Sequence, residues 1–219
     1  MRMTKSLLSN PHLNLLDQLH IILPAILSCG LTRKTSKYYY DNHWTLRDFS
    51  AYMAVTICQK FSNSLNNLTN RVIFLYLRPL KSYNCPLTTI YGAVKGIAAF
   101  GEDTVKIFLF PYINNISKRI FMIFERRQYN FHSEEKIKQQ IIEAKHVRDA
   151  ILCTVAPILY KAKNITDGGI MYMQMFGYLG RFLYAEVKNL EKMDLERKKF
   201  EQIKAASKIY VYKECKGNH

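Results

Sequence analysis

Acidic side chains are scarce in this chain. It has 17 Asp and Glu residues against 32 Lys and Arg residues, which gives a formal net charge of +15 over 219 residues. Such an excess favours contact with nucleic acid, anionic lipid or acidic protein segments, and charge alone does not choose among them. Apolar residues make up 48% of the chain. This content excludes disorder throughout and suffices for one substantial core or for a continuous strip of core along a repeat array.

Cysteine pairs and long apolar runs are also missing. The five cysteines are odd in number and form no C-x-x-C motif. They therefore predict reduced, buried thiols in a cytosolic or nuclear protein rather than a disulfide framework. The apolar run at residues 20–27 is too short to cross a bilayer, and no signal-peptide core follows the first five residues. We expect neither secretion nor membrane insertion.

No catalytic, metal-binding or phosphate-binding signature is present. Cys58 could in principle pair with His43, and Cys153 with His146, but neither pair belongs to a known signature of a cysteine nucleophile. The histidines and cysteines lack the spacing of metal ligands. The glycine pair at 168–169 follows no strand and precedes no suitably placed lysine. The sequence predicts no enzymatic activity, no cofactor and no small-molecule substrate.

What the chain does contain is apolar sequence of helical character, marked by proline. Prolines lie inside apolar blocks at positions 24, 79, 111 and 157, with an average spacing of about 44 residues. HEAT and armadillo repeats have periods of roughly 40–47 residues. Partner helices are expected from about His43 to Ser62 and from about Thr88 to Phe100. Gly and Ala on one face of the second helix allow close packing.

Further helices are expected from 101 or 102 to 125, from 133 to 159 and from 169 to 206, with a turn at 164–169 and a basic, aromatic connector at 126–131. The predicted fold is an all-α, right-handed α-solenoid of about four to five antiparallel HEAT-like helix pairs. We expect a single domain over residues 1–219, in which residues 188–219 form a charged terminal helix and tail.

The only Trp lies in the segment D-N-H-W-T-L-R-D-F, residues 41–49. Asp41 or Asn42 can accept a hydrogen bond from the free N–H groups of a first helical turn. Trp44 and Phe49 begin a broad apolar surface. Such a helix must lie on other helices.

This segment, followed by residues 57–61 (I-C-Q-K-F) and 91–101 (Y-G-A-V-K-G-I-A-A-F-G), resembles the C-terminal HEAT-repeat domain of subunit 6 of the general transcription factor TFIID. The similarity extends more loosely to residues 23–27, 155–159 and 176–180. It implies a nuclear, non-enzymatic scaffold that binds other TFIID subunits during assembly of the RNA polymerase II preinitiation complex. Relatives also occur in SAGA-type coactivators. The histone fold that precedes this domain in the family is expected to be absent.

The resemblance gives the Trp segment two candidate roles. It can contact another subunit, because Trp and Arg are frequent binding hot spots. It can also join neighbouring repeats, since HEAT repeats use an Asp and Arg pair to bridge repeats and to satisfy turn carbonyls. Both roles can hold together, and whether Trp44 is core or interface is left open. The candidate residues are His43, Trp44, Arg47 and Asp48.

A basic patch of Arg33, Lys34 and Lys37 is the second candidate surface. It lies beside three tyrosines at 38–40, in a stretch from Arg33 to Lys95 that has nine basic and two acidic residues. Basic and aromatic mixtures can hold phosphates or stack on bases, so contact with promoter DNA is the alternative function. Such a contact would be weak, non-specific and salt-sensitive. A solvated loop between helices is the other interpretation of this stretch.

Overall fold

The computed structural model describes residues 1–10, 12–35, 41–126, 134–162 and 168–216. All regular structure in these ranges is helical, with ten α-helices and two short 3-10 segments, at Leu16–Gln18 and Gly177–Leu179. The helices are α1 (Arg2–Ser9), α2 (Leu19–Leu31), α3 (Trp44–Phe61), α4 (Leu68–Lys81), α5 (Leu87–Ala99), α6 (Glu102–Phe108), α7 (Phe110–Arg126), α8 (Glu134–Ala162), α9 (Gly169–Phe176) and α10 (Gly180–Lys216). The expected all-α solenoid is confirmed.

The helices pack as successive pairs in two layers. One layer consists of α3, α5, α8 and α10, each packed against the next, and the other consists of α2, α4, α7 and α9. Short connections pair α4 with α5 and α9 with α10, while α2 packs against α3 across a longer connection, residues 32–43. Helix α8 packs on α7, so four helix pairs form within the described residues.

Helix α5 lies at the centre of the core. It contacts α2, α3, α4 and α8, and ten of its residues between Leu87 and Ile97 are buried. Two glycines make this packing possible. A Cβ atom at Gly92 would overlap the backbone carbonyl of Gly30 in α2, and one at Gly96 would overlap the ring of Tyr76 in α4. The small face predicted from sequence is therefore where α5 meets both neighbours.

Three of the four marker prolines lie inside helices as expected, Pro24 in α2, Pro79 in α4 and Pro157 in α8. Pro111 differs, because it lies in the first turn of α7. A proline there removes no bond that the helix needs, whereas inside a longer helix it would lack the N–H for the carbonyl four residues earlier. The single helix expected from 101 or 102 to 125 is therefore two helices, α6 and α7.

The expected helix from 169 to 206 is also divided. Gly177 has a φ of 60° and begins a 3-10 turn between α9 and α10. A side chain there would be strained and would also crowd Asn114 and Ser117 of α7. The Ser117 hydroxyl accepts a hydrogen bond from the Leu179 N–H at 2.9 Å. The expected helix is therefore interrupted where the 3-10 turn packs closely against α7.

The thiols are less uniformly buried than predicted. Cys58 is buried and Cys29 and Cys85 are half-buried, but Cys153 is exposed. Cys153 lies on the face of α8 that lines an open groove beside α3 and α5, so the prediction of a buried thiol is wrong there. None of the described helices combines the length and apolar character needed to span a membrane.

Val187 is the last buried residue among the described side chains of α10. Leu190 still packs in part against the core, and Asp194 accepts a hydrogen bond from the Tyr160 hydroxyl of α8 at 2.8 Å. Further along the helix, Phe200 and Ile203 are exposed. Helix α10 continues to Lys216. The tail at 217–219, the turn at 164–167, the connector at 127–131 and Lys37 lie outside the described residues, and the single-domain interpretation stays a prediction.

We expect Gly92→Ala to lower the free energy of unfolding by about 1–3 kcal/mol, because overpacking against a backbone carbonyl outweighs the helix propensity gained. Urea unfolding followed by circular dichroism measures this. Gly169→Ala is the matched control, since its Cβ would meet only ordinary contacts with Tyr184. Equal stabilities for the two variants would contradict the packing assigned to α5.

Candidate protein-interaction site at the joint of α2, α3, α5 and α8

The Trp segment forms the start of α3. Asn42 accepts a hydrogen bond from the Trp44 N–H at 3.3 Å, so one free donor of the first turn is satisfied as predicted. Helix α3 then runs from Trp44 to Phe61, within one residue of the expected bounds at each end. The four candidate residues therefore project from the first turns of α3.

Arg47 is completely buried. Its Nη1 donates to the Gly30 carbonyl at 2.6 Å and its Nη2 donates to the Thr32 carbonyl at 2.8 Å. Both carbonyls belong to the end of α2, where the last turn lacks helical partners. Arg47 thus holds α3 against α2, and its guanidinium is not available as a surface contact in this structure.

Asp48 faces a different neighbour. It accepts a hydrogen bond from the Tyr91 hydroxyl at 2.9 Å and lies 3.6 Å from the Lys95 ammonium. Both partners are on α5. Arg47 and Asp48 therefore contact different neighbours, since Arg47 reaches back to α2 and Asp48 reaches forward to α5. Asp48 remains partly exposed and lines the groove.

Trp44 lies at the start of α3 and contacts both α5 and α8. Its ring stacks on His146 of α8 at a centroid distance of 4.1 Å, and it meets Tyr91 of α5 edge-on at 4.7 Å. His43 lies beside it at 4.4 Å. The ring is half-buried, so it packs between repeats and still keeps an outer edge. Aromatic contacts of this geometry contribute about 0.5–1.5 kcal/mol each beyond the area they bury.

The environment disfavours the charged form of both histidines. Burial, followed by the nearby Arg47 and His146, lowers the pKa of His43. Its Nδ1 accepts a hydrogen bond from the Arg47 Nε at 3.2 Å, which requires that nitrogen to be unprotonated. Burial also lowers the pKa of His146, against the opposing effect of Asp149 and Asp48.

Tyr91 and His146 complete this site, and sequence reasoning did not place them in it. His146 is distant in sequence from Trp44, and no local pattern connects the two residues. Tyr91 lies in the segment 91–101 that resembles the family, and nothing in that segment relates it to Trp44.

The two exposed members of the basic patch that are described, Arg33 and Lys34, lie just beyond α2. They line a cavity about 440 Å³ in volume, together with Arg119 of α7 and Lys136 of α8. Sequence reasoning grouped Arg33 and Lys34 only with their sequence neighbours. The fold groups them instead with cations from two later helices.

Cys58, one of the two thiols considered from sequence, is buried. Burial raises the pKa of the Cys58 thiol to about 11, so it stays protonated at neutral pH. Among the described side chains, no three His, Cys, Asp or Glu groups converge in a way that would hold a metal ion. The side chains at the start of α3 connect α3 to α2, α5 and α8. Trp44 and Asp48 also remain partly exposed to solvent.

Paired helices in two layers, held together by a buried arginine and by aromatic contacts across repeats, define an α-solenoid of the HEAT type. The chain belongs to the family of the TAF6 C-terminal HEAT repeat domain, which matches residues 1–114. The resemblance noted in the sequence is thereby confirmed.

Individual relatives support the same assignment. The chain is 30% identical over 181 residues to transcription initiation factor TFIID subunit 6 of Drosophila melanogaster, a match that covers 82% of this chain and 29% of that protein. It is 34% identical over 115 residues to TFIID subunit 6b of Arabidopsis thaliana, covering 51% of this chain and 21% of that protein. The third relative is named the SAGA complex/transcription factor TFIID complex subunit Taf6 of Schizosaccharomyces pombe. It is 28% identical over 152 residues, covering 69% of this chain and 32% of that protein. The chain thus spans a third or less of the length of these relatives.

We expect Arg47→Leu to lower the free energy of unfolding by at least about 2 kcal/mol, because two carbonyls at the end of α2 lose charge-assisted hydrogen bonds. Arg197→Leu is the control, since its side chain is 70% exposed and only pairs with Asp194 on the surface. That change should cost less than about 1 kcal/mol. Similar losses in both variants, measured by urea unfolding, would show that Arg47 is not a structural joint.

Stability should fall as the pH drops below about 6.5. The pKa of His146 is lower in the folded chain, so between the two pKa values the unfolded state binds more protons and acid favours unfolding. His146→Phe keeps an aromatic ring on Trp44 and should flatten the slope of the melting temperature between pH 5 and 7. His12→Phe, at an exposed position, should leave the slope unchanged. An unaltered slope in His146→Phe would refute this assignment.

Proposed function

We propose that this chain is a non-enzymatic scaffold of the general transcription factor TFIID, acts in the nucleus, and binds other subunits during assembly of the RNA polymerase II preinitiation complex. Family membership supports this proposal, since the Drosophila and Arabidopsis relatives are named as TFIID subunits. The chain matches only part of each relative, so the role assigned to it is that of their HEAT-repeat portion.

The observation that carries the scaffold role is the joint at the start of α3. Arg47 fastens α3 to α2, Asp48 connects it to Tyr91 of α5, and Trp44 stacks on His146 of α8. The relative positions of these helices are therefore fixed before any partner arrives. A preorganised surface loses less conformational freedom on binding, which favours a docking role.

An open groove about 500 Å³ in volume runs along the same layer of helices. Tyr52 of α3, Lys95 of α5 and Cys153 of α8 contribute to its lining, with Asp48 at one side. Tyr52 is 53% exposed. A partly exposed tyrosine beside small and apolar residues is typical of protein contacts. We infer that subunit contact uses this groove and the outer edge of Trp44.

Two alternatives have support of their own. The Schizosaccharomyces pombe relative is named as a subunit of both SAGA and TFIID, so a role in a SAGA-type coactivator is the first. The excess of basic residues favours weak, non-specific contact with promoter DNA as the second. A salt titration with labelled duplex DNA tests the second, and absence of affinity at low salt would remove it.

The proposed function is tested by affinity purification of the tagged protein from the cells that naturally produce it, followed by mass spectrometry. We expect other TFIID subunits to be recovered, and Trp44→Ala and Tyr52→Ala to reduce their recovery several-fold. Phe74→Ala is the control, because Phe74 is also exposed but lies on α4 in the other layer. All variants are first compared by circular dichroism and thermal melting.

Each result of that experiment bears on the proposal. Failure to recover any TFIID subunit would overturn it, and recovery of SAGA-type subunits instead would favour the first alternative. If folded Trp44→Ala and Tyr52→Ala proteins recover partners as well as Phe74→Ala does, the location of the contact is wrong even though the scaffold role stands.

A further inference from the structure

We propose that the basic cavity beyond the end of α2 binds an extended, acidic segment of a partner polypeptide. The cavity is about 440 Å³ in volume and is built where four parts of the fold meet. They are the residues after α2, the connection between α4 and α5, the last half of α7 and the first half of α8. This inference rests on the scaffold function proposed above and adds the chemistry of one ligand.

The charge of the cavity is one-sided. Arg33, Lys34, Arg119 and Lys136 line it, whereas Glu143 is the one acidic residue in its lining among the described residues. Arg33, Lys34 and Lys136 are exposed near the mouth. Cations from separate elements have thus been brought together by the fold. Such a cluster attracts a polyanionic segment and raises its association rate.

Arg119 is held in position before any ligand binds. Its Nη2 donates to the Cys85 carbonyl at 2.5 Å, and its guanidinium lies 5.8 Å from the ring centre of Tyr83. The side chain is half-buried, and burial lowers its pKa. A guanidinium has more donors than one carbonyl can use. A carboxylate entering the cavity would offset the desolvation of Arg119 through charge-assisted hydrogen bonds.

Glu143 gives the cavity an acceptor as well. Its Oε1 accepts a hydrogen bond from the Gln139 Nε2 at 3.0 Å, and burial raises its pKa against the opposing effect of Arg33 and Arg47. The amides of Asn84 and Gln140 add donors and acceptors to the lining. The cavity can therefore receive N–H groups in addition to anionic oxygens.

This mixture favours a polypeptide over a nucleic acid. A peptide backbone carries alternating N–H donors and carbonyl acceptors, which match the amides and Glu143, while its carboxylates match the cations. The phosphate backbone of duplex DNA presents acceptors only, so it offers no donor to the Glu143 carboxylate. Pro86, Leu87 and Ile123 in the lining also provide apolar contact for a side chain. The ligand expected is thus an extended segment that combines Asp or Glu with apolar residues.

Fluorescence anisotropy with the intact chain tests the proposal. The probe is the dye-labelled peptide Leu-Glu-Glu-Leu-Asp-Glu-Leu, and its neutral counterpart Leu-Gln-Gln-Leu-Asn-Gln-Leu is the matched control. We expect saturable binding of the acidic peptide that weakens with salt, and at least about tenfold weaker binding of the neutral one. Labelled duplex DNA is measured under the same conditions.

Two variants locate the site. Arg119→Gln should weaken binding of the acidic peptide at least about tenfold. The double change Arg33→Gln with Lys136→Gln should also weaken it, and both side chains are exposed, so this variant is expected to fold even if Arg119→Gln does not. Arg71→Gln, which removes an exposed charge from α4 outside the cavity, should leave binding within about twofold.

Several outcomes would overturn the inference. They are no binding of the acidic peptide, equal binding of the two peptides, equal loss in Arg71→Gln and the cavity variants, or binding of DNA alone that the cavity variants abolish. If these tests fail while TFIID subunits still co-purify, the acidic-segment site is wrong and the scaffold function stands. If the acidic peptide binds as expected but no TFIID subunit co-purifies, the acidic-segment site stands and the scaffold function is wrong.

Discussion

The hydrogen bonds from Arg47 to the end of α2 are the contact on which the arrangement of the repeats depends. A buried guanidinium is costly unless its donors are used, and carbonyls at a helix end are costly unless they are paired. Arg47 meets both requirements, because its guanidinium donates to the Gly30 and Thr32 carbonyls. The Ser50 hydroxyl adds a bond to the Ile26 carbonyl at 2.6 Å, so α3 is connected to α2 over two turns. The close approach of Gly92 to Gly30 then brings α5 against the same segment.

The first turns of α3 carry both buried and partly exposed side chains. Arg47 is buried in the core, while Asp48 and one edge of the Trp44 ring stay in contact with solvent. The two surfaces that flank this joint differ in chemistry. The groove beside Tyr52 is mainly apolar, whereas the cavity beside Arg119 is strongly basic. One joint therefore holds two unlike surfaces in a fixed relation, which the proposed scaffold function would require of a protein with more than one partner.

Local patterns predicted the helices well and the contacts between distant helices poorly. The periodic apolar residues and the capping residue Asn42 placed α3, and the small residues placed α5, because these signals act within a few turns. The divisions at Pro111 and Gly177 were missed, since each depends on how its helix meets a neighbour. The stacking of Trp44 on His146 was also missed, because nothing in one sequence relates residues so far apart. For the same reason the contact of Asp48 with Tyr91 was not predicted.

The order in which the chain is made adds a consequence of the Trp44 stacking. The contacts among α2, α3, α4 and α5 lie within residues 19–99, so this part of the core can form while the later helices are still being synthesised. At translation rates of about 5–20 residues per second, His146 follows the end of α5 by several seconds. During that interval the Trp44 ring has Tyr91 beside it but not its partner from α8. The nascent chain therefore exposes an aromatic surface at the growing end of the stack, and the arrival of α8 covers it.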